Sequence, residues 1–247
     1  MKHDRYDNPI STQSDAARDH YAMATDLLLA GQPGISEAFQ KAIDNDPEFA
    51  LAHVGLARGL QYEGKMPEAN AAMAAARAAK GPRTERETSH INAFDLLLAG
   101  KTSQAYPAIR AHVDTYPRDA LLAQTCSSVF GLIGFSGMPG REAETLAYNA
   151  KLLPHYGDDW WCLSQYAFAL CETGNLSAAD RYIEKSLALN PRNANGAHVR
   201  SHIYYETGEI DLGVAYLTEW LGPYDRAGYL HGHLSWHAAL WALEQGD

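Results

Sequence analysis

A glycine recurs along this chain at nearly regular intervals, and helix-forming sequence lies on both sides of each one. The positions are Gly31, Gly64, Gly100, Gly137, Gly174, Gly208 and Gly246, in steps of 33, 36, 37, 37, 34 and 38 residues. Such a period is typical of a repeated helix-turn-helix unit. One unit is too small to bury its own apolar face, so neighbouring units must stack. We therefore predict an all-α solenoid, a right-handed superhelix of antiparallel helix pairs that encloses a concave groove.

The residues around each glycine agree with one repeat consensus. When the glycine is placed at repeat position 15, small residues are expected at positions 8, 20 and 27 and a large one at position 24. The second repeat has Ala57, Ala69, Met73 and Ala76 at these places, and Pro82 follows the second helix. This is the pattern of the tetratricopeptide repeat. We predict an N-terminal arm at residues 1–13, followed at residues 14–247 by six repeats and one unpaired C-terminal helix.

The fourth repeat, like the sixth, fits this consensus less well than the others. Five helix-breaking residues fall at the end of its first helix, and its second helix is predicted to begin near Arg141. They are Gly131, Gly134, Gly137, Pro139 and Gly140. Irregular loops in a regular array often carry functional insertions. Simple drift of a connecting loop is the alternative.

The last predicted helix, at about residues 231–245, has no partner helix after it in this sequence. It carries Leu234, Ala238, Trp241 and Leu243. We expect part of this apolar set to lie exposed where a second helix would pack. Either the chain is a piece of a longer protein, or this end packs against something, so a homo-oligomer through the C-terminal end is one expectation.

Composition and charge limit the classes of partner that the protein is expected to bind. The net charge is −10, and residues 201–247 hold seven acidic residues against one base, Arg226. Such a surface repels phosphate backbones, so we expect no nucleic-acid partner and favour basic segments or cations. No apolar stretch is long enough for a membrane span or an export signal. The three cysteines form no CxxC pair, which is typical of a reducing compartment, so we predict a cytoplasmic protein with buried cysteines.

Several stretches resemble the tetratricopeptide repeat protein 38 family more closely than a generic repeat. They are residues 9–12, 49–53, 84–90, 197–203 and 233–240. The resemblance runs in the same order along essentially the whole chain. It implies a repeat solenoid, and a longer protein with further helical repeats, but it implies no reaction because the family has no assigned biochemical role. One departure is Ser127 and Ser128, where the family pattern has a His-Asp pair.

Two pairs of histidines fall on helix positions that face the predicted groove. His198 and His202 form one pair, and His233 and His237 form the other. The i, i+4 spacing places both imidazoles of a pair on one helical face. A helix uses this spacing to offer two nitrogens to one metal ion, and adjacent helices lie close enough for the two pairs to converge. Glu206, on the same helix as the first pair, would add an oxygen.

The aromatic residues point to the same end of the chain. All five tryptophans lie beyond residue 159. Inward repeat positions carry Trp161, Ser164, Phe168, Tyr205 and Trp236, which we predict to line a ligand pocket beside the histidines. No phosphate-binding glycine loop or GxSxG motif is present, so the sequence names no catalytic residue and favours a non-enzymatic role, with an enzyme as the open alternative.

We predict a binding scaffold whose groove takes a peptide segment or a small molecule near this His- and aromatic-rich end. The four histidines could instead hydrogen-bond to neighbours. The sequence predicts no cofactor as such. A divalent metal at the four histidines remains an alternative, with a metal-dependent enzyme or a structural assembly module as the rival functions.

Overall fold

The computed structural model describes residues 2–246, in which thirteen α-helices account for most of the chain. The helices are α1 Asp15–Ala30, α2 Ile35–Asn45, α3 Ala50–Tyr62, α4 Met66–Ala78, α5 Glu85–Leu98, α6 Thr102–Thr115, α7 Ala120–Ala123, α8 Arg141–Tyr156, α9 Trp160–Glu172, α10 Leu176–Leu189, α11 Ala194–Thr207, α12 Ile210–Leu221 and α13 His231–Gln245. Two-residue strands β1 (Lys2–His3) and β2 (Pro9–Ile10) precede them. The prediction of an all-α tetratricopeptide-repeat solenoid is confirmed.

The repeated glycine has a backbone explanation. All seven glycines of the period have φ between 68 and 86°, in the left-handed region. At Gly208, for example, the glycine ends α11 and its N–H donates to the carbonyl of Tyr205 at 3.1 Å. An L side chain is strained in this conformation, whereas glycine adopts it freely. The period in the sequence therefore marks the turn between the two helices of each pair.

The fourth repeat departs from the others in its first helix. Only α7 (Ala120–Ala123) forms, and turns with a short 3-10 segment at Gly134–Ser136 occupy the chain up to Gly140. A Cβ at position 134 would lie 2.1 Å from the carbonyl oxygen of Val129, so the chain folds back too closely there for any side chain. The following helix begins at Arg141, as the sequence predicts. The helix-breaking residues thus remove most of a helix rather than its last turn.

The N-terminal segment is more ordered than the predicted arm. Strands β1 and β2 pair antiparallel, with Lys2 opposite Ile10. Ile10 is fully buried, and the N–H of Ser11 donates to the carboxylate of Glu87 in α5 at 2.9 Å. The hydroxyl of Ser14 accepts from the N–H of Ala17 at 3.1 Å and caps α1. Met1 and Asp247, which belong to the predicted arm and solenoid, lie outside the described residues.

The chain divides into two compact units. The first unit contains the described residues up to Leu28 together with Gly34–Cys126, and the second contains Leu29–Pro33 together with the described residues from Ser127 onward. Aromatic side chains of the first unit, such as Phe39 and Phe94, are fully buried. In the second unit, α9, α10 and α11 share one apolar core, and α11, α12 and α13 share another.

The expectation that part of the apolar set on α13 lies exposed is confirmed for Leu243 but not for Leu234 and Trp241. Trp241 is only 1% exposed, because its ring packs against Gly213 of α12, and Leu234 is fully buried. Leu243, a member of the expected set, is 71% exposed, and Trp236 is the other large apolar side chain exposed on this helix. An aromatic residue is therefore exposed on α13, but it is the one beside the histidines.

Cys126, Cys162 and Cys171 are all buried, as predicted. Between residues 2 and 246, no helix is both long enough and apolar enough to cross a lipid bilayer.

Candidate functional site

The structure brings the four predicted histidines into one cluster within the second unit. The Nε2 atom of His198 lies 2.9 Å from that of His202 on α11 and 2.8 Å from that of His233 on α13. The Nε2 atoms of His233 and His237 are 3.2 Å apart. One nitrogen from each residue falls within 4.8 Å of all the others. The i, i+4 spacing on each helix and the packing of α11 and α13 around α12 produce this convergence.

The environment keeps these imidazoles uncharged near neutral pH. Burial, followed by the neighbouring histidines, holds the pKa of His198 well below its usual value. Burial likewise lowers the pKa of His202 and His237 to about 4, and that of His233 in the same direction. Neutral imidazole is the form that offers a nitrogen lone pair. The cluster therefore brings together four neutral imidazoles, each of which can offer a nitrogen lone pair to a shared partner.

Aromatic side chains pack around the cluster. The ring of Phe168 in α9 lies 5.3 Å from both His198 and His202, centroid to centroid. Phe130 lies 5.8 Å from His198 and 5.6 Å from His233, while Trp236 stacks on His233 at 5.6 Å. These rings limit the access of water to the imidazoles and favour their neutral form.

A cavity of about 340 Å³ opens beside the histidines. Three of the aromatic side chains around it are about half exposed: Phe130 at 49%, Tyr205 at 50% and Trp236 at 53%. The described residues that line the cavity are Val129, Phe130, Glu172, His198, His202, Tyr205, Glu206, His233, Trp236, His237, Leu240 and Trp241. Apolar walls with a few convergent polar groups are typical of a ligand site.

Two predicted site residues lie elsewhere. Trp161 is 2% exposed and packs against Tyr156 at 5.3 Å between ring centroids. Ser164 is fully buried, and its hydroxyl donates to the carbonyl of Trp161 at 2.8 Å. Neither residue lines the cavity beside the histidines. Phe168 touches the histidines, although it borders a neighbouring cavity of about 270 Å³ instead.

Sequence reasoning missed two residues that complete this site. Phe130 comes from the irregular loop of the fourth repeat, where no helical register predicts the direction of a side chain. Glu172 is the last residue of α9, and its carboxylate lies 3.8 Å from Nδ1 of His202. Burial and the neighbouring Glu206 raise the pKa of Glu172. The pair of carboxylates therefore gives one edge of the cavity a negative potential.

A second histidine cluster lies in the first unit. The carboxylate of Asp119 contacts Nδ1 of His90 at 3.0 Å, Nε2 of His112 at 3.1 Å, and the guanidinium of Arg86. All four side chains are 3% exposed or less. Arg86 also donates to the carbonyl of Pro9 at 3.2 Å, which ties β2 to α5. Asp119 thus has a cationic partner in Arg86, and the network joins residues of β2, α5 and α6.

The comparisons with known proteins show similarity of fold. No protein-family model matches the chain, so the resemblance to the tetratricopeptide repeat protein 38 family stays a prediction. The chain is similar to the Cut9-Hcn1 hetero-tetramer of the APC/C, with TM-score 0.53 and 17% identity over 91% of this chain and 42% of that one. It is also similar to yeast Tom70, with TM-score 0.55 and 13% identity over 93% of this chain and 47% of that one.

A tetratricopeptide repeat protein from Parabacteroides merdae matches with TM-score 0.49 and 14% identity, over 93% of this chain and 91% of that one. The chain spans less than half the length of the first two structures. At these identities the likeness concerns the repeat fold alone.

Proposed function

We propose that the protein is a binding module that holds a peptide segment of a partner protein in the cavity beside the four histidines. The observation that carries this proposal is the collection of three half-exposed aromatic side chains, Phe130, Tyr205 and Trp236, around a single opening. Half-exposed aromatic rings that converge on a concave site supply most of the binding energy in many interfaces.

The charges at the cavity favour a basic peptide with an apolar anchor. Glu172 and Glu206 lie on its edge, and burial together with the charge of Glu206 raises the pKa of Glu172, which a nearby cation would lower. A lysine or arginine of the bound segment would supply that cation, while an apolar side chain would fill the space between the aromatic rings. A small molecule that carries both a cationic group and an apolar group would make the same two contacts without a peptide backbone. Its competition with the peptide is measured in the same assay.

The test uses a fluorescein-labelled hexapeptide of alternating lysine and phenylalanine, with the protein kept in a metal chelator. We expect fluorescence anisotropy to show saturable binding to the wild type. Trp236→Ala should weaken binding by about fivefold or more, since truncation of a central aromatic anchor costs about 1 kcal/mol or more. Glu172→Gln should weaken binding and reduce its salt dependence.

Leu243→Ala is the matched control, because Leu243 lies on the same helix α13, is 71% exposed and does not line the cavity. It should bind the peptide as the wild type does. If Trp236→Ala binds as tightly as Leu243→Ala, the peptide does not occupy this cavity and the proposal is wrong.

A further inference from the structure

Hydrogen bonding alone does not account for the short contacts among the four histidines. A ring nitrogen carries either one proton or one lone pair in the ring plane, so it serves one strong partner in one direction. Nε2 of His198 has two such neighbours at 2.8 and 2.9 Å, and Nε2 of His233 has two at 2.8 and 3.2 Å. Every assignment of protons leaves these two inner nitrogens sharing a single proton or lone pair between two partners.

We propose that His198, His202, His233 and His237 together bind one divalent transition-metal ion through their Nε2 atoms. A cation at their common centre would use all four lone pairs at once. Imidazole nitrogens bind Zn²⁺ at about 2.0–2.1 Å, which separates ligands at right angles by about 2.9 Å and those of a regular tetrahedron by about 3.4 Å. The separations of 2.8 to 3.2 Å between neighbouring nitrogens lie close to this range.

The surroundings of the cluster suit a metal of the zinc to copper class. All four donors are nitrogens, which Zn²⁺, Cu²⁺, Ni²⁺, Co²⁺ and Fe²⁺ accept and which Mg²⁺ and Ca²⁺ avoid. Nδ1 of His202 faces Glu172 at 3.8 Å, the kind of outer carboxylate that orients a metal-bound histidine. Phe168 and Phe130 cover two sides, while the cavity leaves a third side open to an entering ion.

The metal and the peptide would share one cavity, but the metal inference depends only on the four imidazoles. The two are separable, because the peptide assay is run in chelator and the metal assay is run without peptide. A protein that binds zinc and no peptide would contradict the proposed function alone. A protein that binds peptide and no zinc would contradict the metal site alone.

The experiment measures metal binding to the full chain after chelator treatment and dialysis. After incubation with Zn²⁺ and removal of the unbound ion, we expect elemental analysis to find one equivalent of Zn²⁺ per chain. Incubation with Co²⁺ should give the visible absorption of a nitrogen-ligated Co²⁺ ion, and added Zn²⁺ should abolish that absorption by displacing Co²⁺. An excess of Mg²⁺ or Ca²⁺ should leave the Co²⁺ spectrum unchanged. The double variant His198→Asn/His233→Asn should lose the metal.

His237→Gln should weaken Zn²⁺ binding by at least about tenfold. Because His237 is only partly buried, this variant should fold, and it tests the metal site even if the double variant does not fold. His155→Gln is the matched control, because His155 is exposed on α8, away from the cluster, and should bind Zn²⁺ as the wild type does. The site is refuted if the wild type takes up less than about a tenth of an equivalent, or if His237→Gln and His155→Gln bind Zn²⁺ equally well.

Discussion

Asp119 shows how a single buried side chain organises the first unit. Burial raises the pKa of this carboxyl, but His90, Arg86 and His112 together hold it well below its usual value. The carboxylate thereby joins α5, α6 and the turn before α7. Its partners lie 33, 29 and 7 residues away in the sequence, so no local spacing could reveal the network.

We predict that Asp119→Asn lowers the free energy of unfolding by about 3–5 kcal/mol, because it removes the carboxylate that the buried guanidinium of Arg86 contacts. Urea denaturation followed by circular dichroism would measure the change. The matched control is Asp95→Asn, which breaks an exposed ion pair with Arg77 in the same unit. It should cost about 1 kcal/mol or less. Equal losses in the two variants would contradict a special role for Asp119.

The same network predicts a dependence of stability on pH. Burial lowers the pKa of His90 from 6.5, despite Asp119, and His112 and Arg86 add to that lowering. The unfolded chain therefore takes up a proton at this residue before the folded chain does as the pH falls below about 6.5. This contribution to stability is present above pH 6.5 and is lost as the pH falls through the folded pKa.

We expect the urea midpoint of the chelator-treated protein to fall between pH 7.5 and pH 5. In His90→Gln the fall should be smaller, because that variant cannot take up the proton. The four-histidine cluster contributes equally to both proteins, so the difference in slope reports His90 together with Asp119, whose pKa His90 helps to lower. Parallel slopes for the two proteins would show that His90 does not titrate differently on unfolding.

At the level of the helices, the packing of α13 on α12 sets the position of the cavity. Gly213 in α12 lies against the indole of Trp241, and a Cβ there would come within 2.7 Å of that ring. The same helix, α13, carries His233, Trp236 and His237 on its cavity side. A shift of Trp241 would therefore move half of the histidine cluster.

We predict that Gly213→Ala destabilises the protein by about 1–3 kcal/mol through overpacking and also weakens Zn²⁺ binding. Gly232→Ala is the control, since a Cβ at position 232, near the start of α13, meets open space. It should leave metal binding unchanged and leave stability equal or raised by up to about 1 kcal/mol. Thermal unfolding and Co²⁺ titration of both variants would decide between a packing effect and a general effect of glycine substitution.

The helices also show how far the sequence could predict the fold and the site. Glycines with left-handed backbone conformation, such as Gly208, lie at the turn between the two helices of each repeat, so their spacing predicted the repeats. The i, i+4 spacing of histidines on α11 and α13 predicted the four-histidine cluster. The loss of most of the fourth repeat's first helix was not predictable, because it depends on how closely the chain folds back at Gly134. Phe130 reaches the cavity from that loop and was missed for the same reason.

Trp161 was predicted to line the ligand pocket, but it lies elsewhere. The repeat register assigned it an inward position, but α9 buries almost its whole surface between neighbouring helices. Position within the repeat predicts which face of a helix is buried only where that helix has the usual neighbours. The helix α9 follows the repeat that lacks most of its first helix, so its neighbours differ from those of the other repeats. Position within the repeat therefore predicted the histidines on α11 and α13 but failed for Trp161 and Ser164 on α9.

At the scale of the whole molecule, charge selects among possible partners. The chain carries a net charge of −10, concentrated toward residues 201–247. Of the described residues that line the cavity, Glu172 and Glu206 are acidic and none is lysine or arginine. The four imidazoles add no positive charge near pH 7, because burial lowers the pKa of each.

An acidic peptide would thus meet like charges both at long range and inside the cavity. We predict no measurable binding of an acidic chaperone C-terminal peptide to the chelator-treated protein at physiological salt, because no cation is present to neutralise its carboxylates. Isothermal titration calorimetry is the measurement, with the lysine-phenylalanine hexapeptide as the positive control. Raising the salt concentration screens the repulsion without creating an attraction, so the acidic peptide should remain unbound. A micromolar affinity for it would contradict the charge argument, and with it the preference for basic partners.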